Sequence, residues 1–158
     1  MAKLILVSSF LFLFSTASQA WEHYQNTDPF TDEDRSMVIA TSEDGIGELV
    51  VRCDFDGMNL LIYMEGMNVA DTGIPVMWRF DKGEVVTATN WSASLDNYGA
   101  YAPLDIVGGL VDNMMTGTRV FFRVTNNDAI SLDFSFTLAG FIAQLNKLTC
   151  VPTAGLHI

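Results

Sequence analysis

The side chains able to do chemistry are few in this chain and spread along it. Ser92 and Ser94 stand in the run Asn90-Trp91-Ser92-Ala93-Ser94, with Asp96 close behind, while the two histidines, His23 and His157, lie near the two ends. A serine hydrolase needs nucleophile, base and orienting acid brought together, and the chain has no Gly-x-Ser-x-Gly elbow. A polar turn accounts for these serines. Asp28 with Asp32, or Asp54 with Asp56, could in principle divide the acid and base work of glycoside hydrolysis. That work requires one desolvated carboxyl facing a solvated one, whereas carboxylates in so acidic a chain belong mostly to solvated surface. Asp54-x-Asp56-Gly57 is also similar to the opening of a calcium loop, but a hairpin turn explains it more simply. Met64 with Met67, and Met114 with Met115, are soft copper ligands by type, yet without histidine partners they read as core filler. The expectation is no catalytic residue, no metal site and no cofactor.

The arginines are the more informative residues. Arg52, Arg79, Arg119 and Arg123 all fall in predicted strands, in a chain with only eight Lys and Arg. One reading pairs them with nearby acids across strands, and Arg79 shares a strand face with Asp81. The other reading makes them contacts for an anionic ligand or a partner, which the planar guanidinium fork suits.

The elements that must position these residues are mostly strands. Candidates are 36–42, 49–53, 59–64, 75–80, 84–91, 119–125 and 129–138, separated by turn compositions such as Asp54-Phe55-Asp56-Gly57, Asp81-Lys82-Gly83 and Asn126-Asn127-Asp128. The clearest is the last, where Leu132, Phe134, Phe136 and Leu138 alternate with Asp133, Ser135 and Thr137, the period of a strand buried on one face. Apolar residues at helical spacing predict helices over 104–115 and 139–148. Residues 21–37 read as an acidic, irregular opening segment. The expected fold is mainly β, an antiparallel β-sandwich-like single domain with two short helices and one disulfide.

The amino end has the parts of a secretory signal peptide over 1–20. Lys3 supplies the positive start, Leu4 to Phe14 the apolar core, and Ser18 and Ala20 the small residues before the cut. That apolar run is shorter than the roughly 20 residues that cross a bilayer, so no stable membrane insertion is expected after cleavage. The exported β domain then covers 21–150 and a C-terminal tail 151–158. Cleavage would leave seven basic and nineteen acidic residues. Such a charge repels nucleic acid and anionic lipid, and favours solubility or cationic partners. In an oxidising compartment the two cysteines, Cys53 and Cys150, are expected to form one disulfide, and periplasmic or secreted localisation follows from the same premise.

Four landmarks carry a family resemblance. They are Leu49-Val50-Val51-Arg52-Cys53, Trp78-Arg79-Phe80-Asp81-Lys82-Gly83, Trp91-Ser92-Ala93-Ser94-Leu95-Asp96-Asn97, and the closing Phe134-Ser135-Phe136-Thr137-Leu138-Ala139-Gly140-Phe141 that leads to Cys150. Together they resemble the VasI or TagO accessory family of type VI secretion, from about Asp28 to Cys150. The closing step is also similar to the invasion-associated locus B family. The VasI resemblance implies a non-enzymatic periplasmic accessory protein that acts by protein–protein contacts with an envelope protein. The alternative expectation, from charge, is a secreted acidic module that binds or inhibits a cationic enzyme.

Overall fold

The computed structural model describes residues 20–151. The expected signal peptide, Ala20 apart, and the expected tail, Val151 apart, lie outside the described residues. Among the described residues no helix is long and apolar enough to cross a membrane.

Among the described residues nine strands form one antiparallel sheet: β1 (Trp21–Tyr24), β2 (Met37–Thr41), β3 (Glu48–Asp54), β4 (Gly57–Tyr63), β5 (Thr72–Phe80), β6 (Val86–Ala93), β7 (Gly99–Tyr101), β8 (Arg119–Thr125) and β9 (Ser131–Thr137). Their order across the sheet is β1-β2-β3-β4-β7-β6-β5-β8-β9. Helix α1 (Leu104–Thr116) lies between β7 and β8 in the chain, and α2 (Phe141–Leu145) follows β9. The mainly β, antiparallel reading with two short helices therefore holds. The two layers implied by a sandwich are the two halves of this one sheet, hydrogen-bonded to each other through β7.

The sheet curls until its ends meet. Trp21 Nε1 on β1 donates to the Thr137 carbonyl on β9 at 2.9 Å, and the Glu43 amide after β2 donates to the Ser135 carbonyl at 2.9 Å. Two register shifts between β5 and β6, around Gly73 and Pro75, help the bend. Proline has no amide to give the ladder, so a bulge is where a sheet tolerates it. The shifts also keep Ile74 and Trp91 both facing inward, each fully buried.

Every strand gives the interior at least one side chain of a single apolar core. Rings interlock through it: Trp78 and Trp91 lie 6.0 Å apart, Trp91 and Phe122 6.2 Å, Phe122 and Phe136 6.4 Å. Phe134, Phe136 and Leu138 are buried as their alternation predicts. Helix α1 adds Val107, Leu110, Val111 and Met114. Gly108 and Gly109, which weaken a helix by about 1 kcal/mol each relative to alanine, are tolerated because that packed face sustains it. Cys53, on the inward face of β3, pairs with Cys150 beyond α2, with Cα atoms 5.5 Å apart.

Three elements differ from expectation. β1 occupies part of the segment read as irregular, because burial of Trp21 and pairing with β2 override a mixed composition. β7 has only three residues and its state comes from its neighbours on both sides. α2 is half the expected length, and starts after Gly140, whose φ of 85° marks the turn out of β9.

Candidate functional site

The outer face of β5, β8 and β9 is a small lattice set by strand register. In one row Arg79 stands opposite Phe121, and Phe121 opposite Ser135; in the next, Met77 stands opposite Arg123, and Arg123 opposite Asp133. One step the other way Arg119 stands opposite Thr137. Phe121 is thus the centre, with Arg79 across the strand and Arg119 and Arg123 two residues away on its own strand. The Arg79 guanidinium lies 5.0 Å from the Phe121 ring centre and that of Arg119 5.9 Å, both within reach of cation–π attraction.

Two of the three arginines are committed to acids. Arg123 grips Asp133 with two parallel bonds of 2.6 Å, which lowers the Asp133 carboxyl below its ordinary range. Arg119 reaches Glu43 at 2.7 Å, and the other Glu43 oxygen accepts the Ser135 hydroxyl at 2.8 Å. Arg79 is exposed and, among the described residues, makes no ion pair and no side-chain hydrogen bond. Asp81, which the sequence places on the same strand face, turns away at φ 49° and accepts bonds from the Thr118 hydroxyl and amide and the Arg119 amide. Those bonds, the Thr118 hydroxyl first, lower its carboxyl pKa. Met77, Arg79, Val85, Phe121, Arg123 and Asp133 line an open groove of about 320 Å³, with Val85 54% exposed.

Arg52 does not join them. It lies on the outer face of β3, bonds Asp54 at 2.5 Å and stacks 5.2 Å above the Tyr101 ring. Val50 and Leu61, opposite each other in register, are both buried on that outer side of the sheet. Asp54 also receives Arg35, which holds Glu33 at 3.0 Å. Asp54 is therefore a structural anchor, while Asp56 accepts from Asn59 at 2.8 Å in the β3–β4 hairpin. Asp28 accepts the Phe30 and Thr31 amides and shapes its own loop. Neither carboxylate pair forms an acid–base dyad across a cleft. Ser94 donates to Asp96 at 2.5 Å and accepts the Gly99 amide at 2.8 Å, which makes it a turn residue. His157 lies outside the described residues, and among those described no group of three or more His, Cys, Asp or Glu could hold a metal.

One feature escapes sequence reasoning. His23, Asp34, Ser36, Lys147 and Thr149 line a polar cleft beside the disulfide. The buried His23 Nε2 has no hydrogen-bond partner among the described residues, while Asp34 accepts from the Thr149 hydroxyl at 2.5 Å and from the Ser36 amide at 2.8 Å. Its walls come from opposite ends of the domain, so no local spacing announces it. No protein-family model, curated protein or solved structure matches the chain.

Proposed function

We propose that this is an exported, non-enzymatic binding domain that works by contact with a protein of the cell envelope, in the manner the VasI resemblance implies. The observation that carries the reading is Phe121 set among Arg79, Arg119 and Arg123, with Met77 and Val85 beside it. Arginine, methionine and aromatic side chains are the types enriched where proteins meet, and arginine is frequent among the residues that dominate binding energy. The compartment is supported by the Cys53–Cys150 disulfide, which persists in oxidising surroundings.

The test is capture from envelope extract by the oxidised chain, with Arg79→Glu and Arg123→Glu chains as parallel baits and identification by mass spectrometry. The reading expects an envelope protein held by the native chain and released by both charge reversals. A partner retained equally by all three baits would move the contact elsewhere. Capture of a cationic hydrolase, lost at high salt but indifferent to these substitutions, would favour the acidic inhibitor instead.

A further inference from the structure

We infer that the groove around Phe121 reads an acidic protein segment, with a carboxylate taken by the Arg79 fork and a neighbouring apolar side chain laid against Phe121, Met77 and Val85. The inference rests on the proposed contact surface and adds the chemistry of its partner. Three observations lead to it. First, arginine gathers on one face of an acidic molecule: Arg79, Arg119 and Arg123 are three of eight basic residues in a chain of net charge −11, with Glu43 and Asp133 answering two of them. The charge of Arg79, uncompensated among the described residues, selects an anionic group that can approach it closely. Second, the charges are unequally committed. Arg119 and Arg123 have acids at 2.7 and 2.6 Å, whereas Arg79 has none among the described residues. Its guanidinium lies 5.0 Å from the Phe121 ring centre, and its N–H groups, taken by no side-chain acceptor among the described residues, are available for a bidentate carboxylate.

The third observation separates a peptide from a small molecule. Small-ligand sites enclose most of the ligand surface, but this groove lies on the outside of one sheet and is open to solvent. A free carboxylate would gain one fork and little burial. A segment gains the fork and the apolar strip together, and its ends continue over the rest of the face.

The experiment uses the oxidised full chain and two blocked peptides of about ten residues. One is rich in glutamate with a central phenylalanine; the other carries glutamine at every glutamate. Affinity is read by fluorescence anisotropy, and the site by amide shifts in nuclear magnetic resonance. The glutamate peptide is expected to shift Arg79, Phe121 and Arg123, to bind at least about tenfold more tightly than its glutamine counterpart, and to weaken as salt rises. Arg79→Ala should cost about tenfold, Arg79→Lys less, and Lys147→Ala, outside the groove, nothing. Arg79 is exposed and, among the described residues, unpaired, so its removal leaves the core intact, which circular dichroism verifies. Equal binding of the two peptides, or binding unchanged in Arg79→Ala, overturns the inference, as does benzoate competing as well as the peptide. If the peptide fails while envelope capture is still lost in Arg79→Glu, the contact surface stands and only the acidic partner falls. If both are indifferent to Arg79, the contact surface itself is refuted.

Discussion

Two tryptophans with the same burial illustrate how a single polar atom sets the worth of a residue. Trp21 and Trp91 are both fully buried, yet Trp21 Nε1 donates to Thr137 and Trp91 Nε1 has no partner among the described residues. Trp21→Phe removes a bond that ties the two ends of the sheet and leaves the Thr137 carbonyl short of a donor. Trp91→Phe removes an unsatisfied donor together with some apolar area. We expect Trp21→Phe to be the more destabilising of the two by about 1 kcal/mol, measured as the difference in urea unfolding; the reverse order would show that ring packing outweighs the bond. Asp34 gives a second case. Burial alone would raise its pKa, but the nearby Ser36 hydroxyl, the Thr149 hydroxyl and amide bonds and the Ser36 amide bond outweigh this and hold the carboxyl well below its ordinary range. A carboxyl depressed on folding contributes stability above its unfolded pKa of about 3.9, and that stability is lost as pH falls toward the folded value. Asp34→Asn should therefore cost about 1–3 kcal/mol at neutral pH, with the gap to the native chain closing from about pH 4 downward. A gap that stays constant would place the cost in shape and not in charge.

At the scale of elements, the loop after β2 is held against β9 by the Glu43 and Ser135 backbone bond and by packing of Gly47 beneath Phe134. A Cβ on Gly47 would lie 2.5 Å from the Phe134 Cε1 atom, so Gly47→Ala must displace a ring that stacks 6.5 Å from Phe136. The expected loss is about 1–3 kcal/mol, read from the thermal midpoint. Gly99→Ala meets the flexible end of Leu61 and should cost less. The strands most legible in the sequence are those whose periodicity is strongest. β9 announces itself by alternation and β8 by its place between turn signals, so the lattice that carries Arg119 and Arg123 could be anticipated strand by strand. β1 could not, because Trp21-Glu22-His23-Tyr24 mixes aromatic and polar types and becomes a strand only by pairing with β2. Alternation also states which side of a strand is buried and leaves open whether the buried sides belong to one sheet or two. Hence the arginines were legible as strand residues, while the gathering of three and the separation of Arg52 depend on the order β5-β8-β9 at one end and β3-β4 within the other half.

For the molecule as a whole, the Cys53–Cys150 link spans 97 positions and joins the inward face of β3 to the segment after α2. Closing a loop of that length removes unfolded-state entropy worth up to about 4.7 kcal/mol. The Cys53→Ser, Cys150→Ser double variant should lose several kcal/mol, measured as a lower urea midpoint, and reductant should reproduce the loss in the native chain. Unchanged midpoints would assign the stability to the shared core alone. The meeting of the first strand with the last has a consequence in time. Trp21 finds its ring partner Phe141, 4.6 Å away, in α2 and its acceptor Thr137 in β9, the last helix and the last strand of the described fold. Polypeptides are made amino end first, so β1 can pair with β2 early, while the Trp21 ring keeps one side uncovered until β9 and α2 have emerged. The clock for finishing this fold is set by delivery of its last residues, and until then the nascent chain carries a sticky tryptophan that a chaperone has reason to hold.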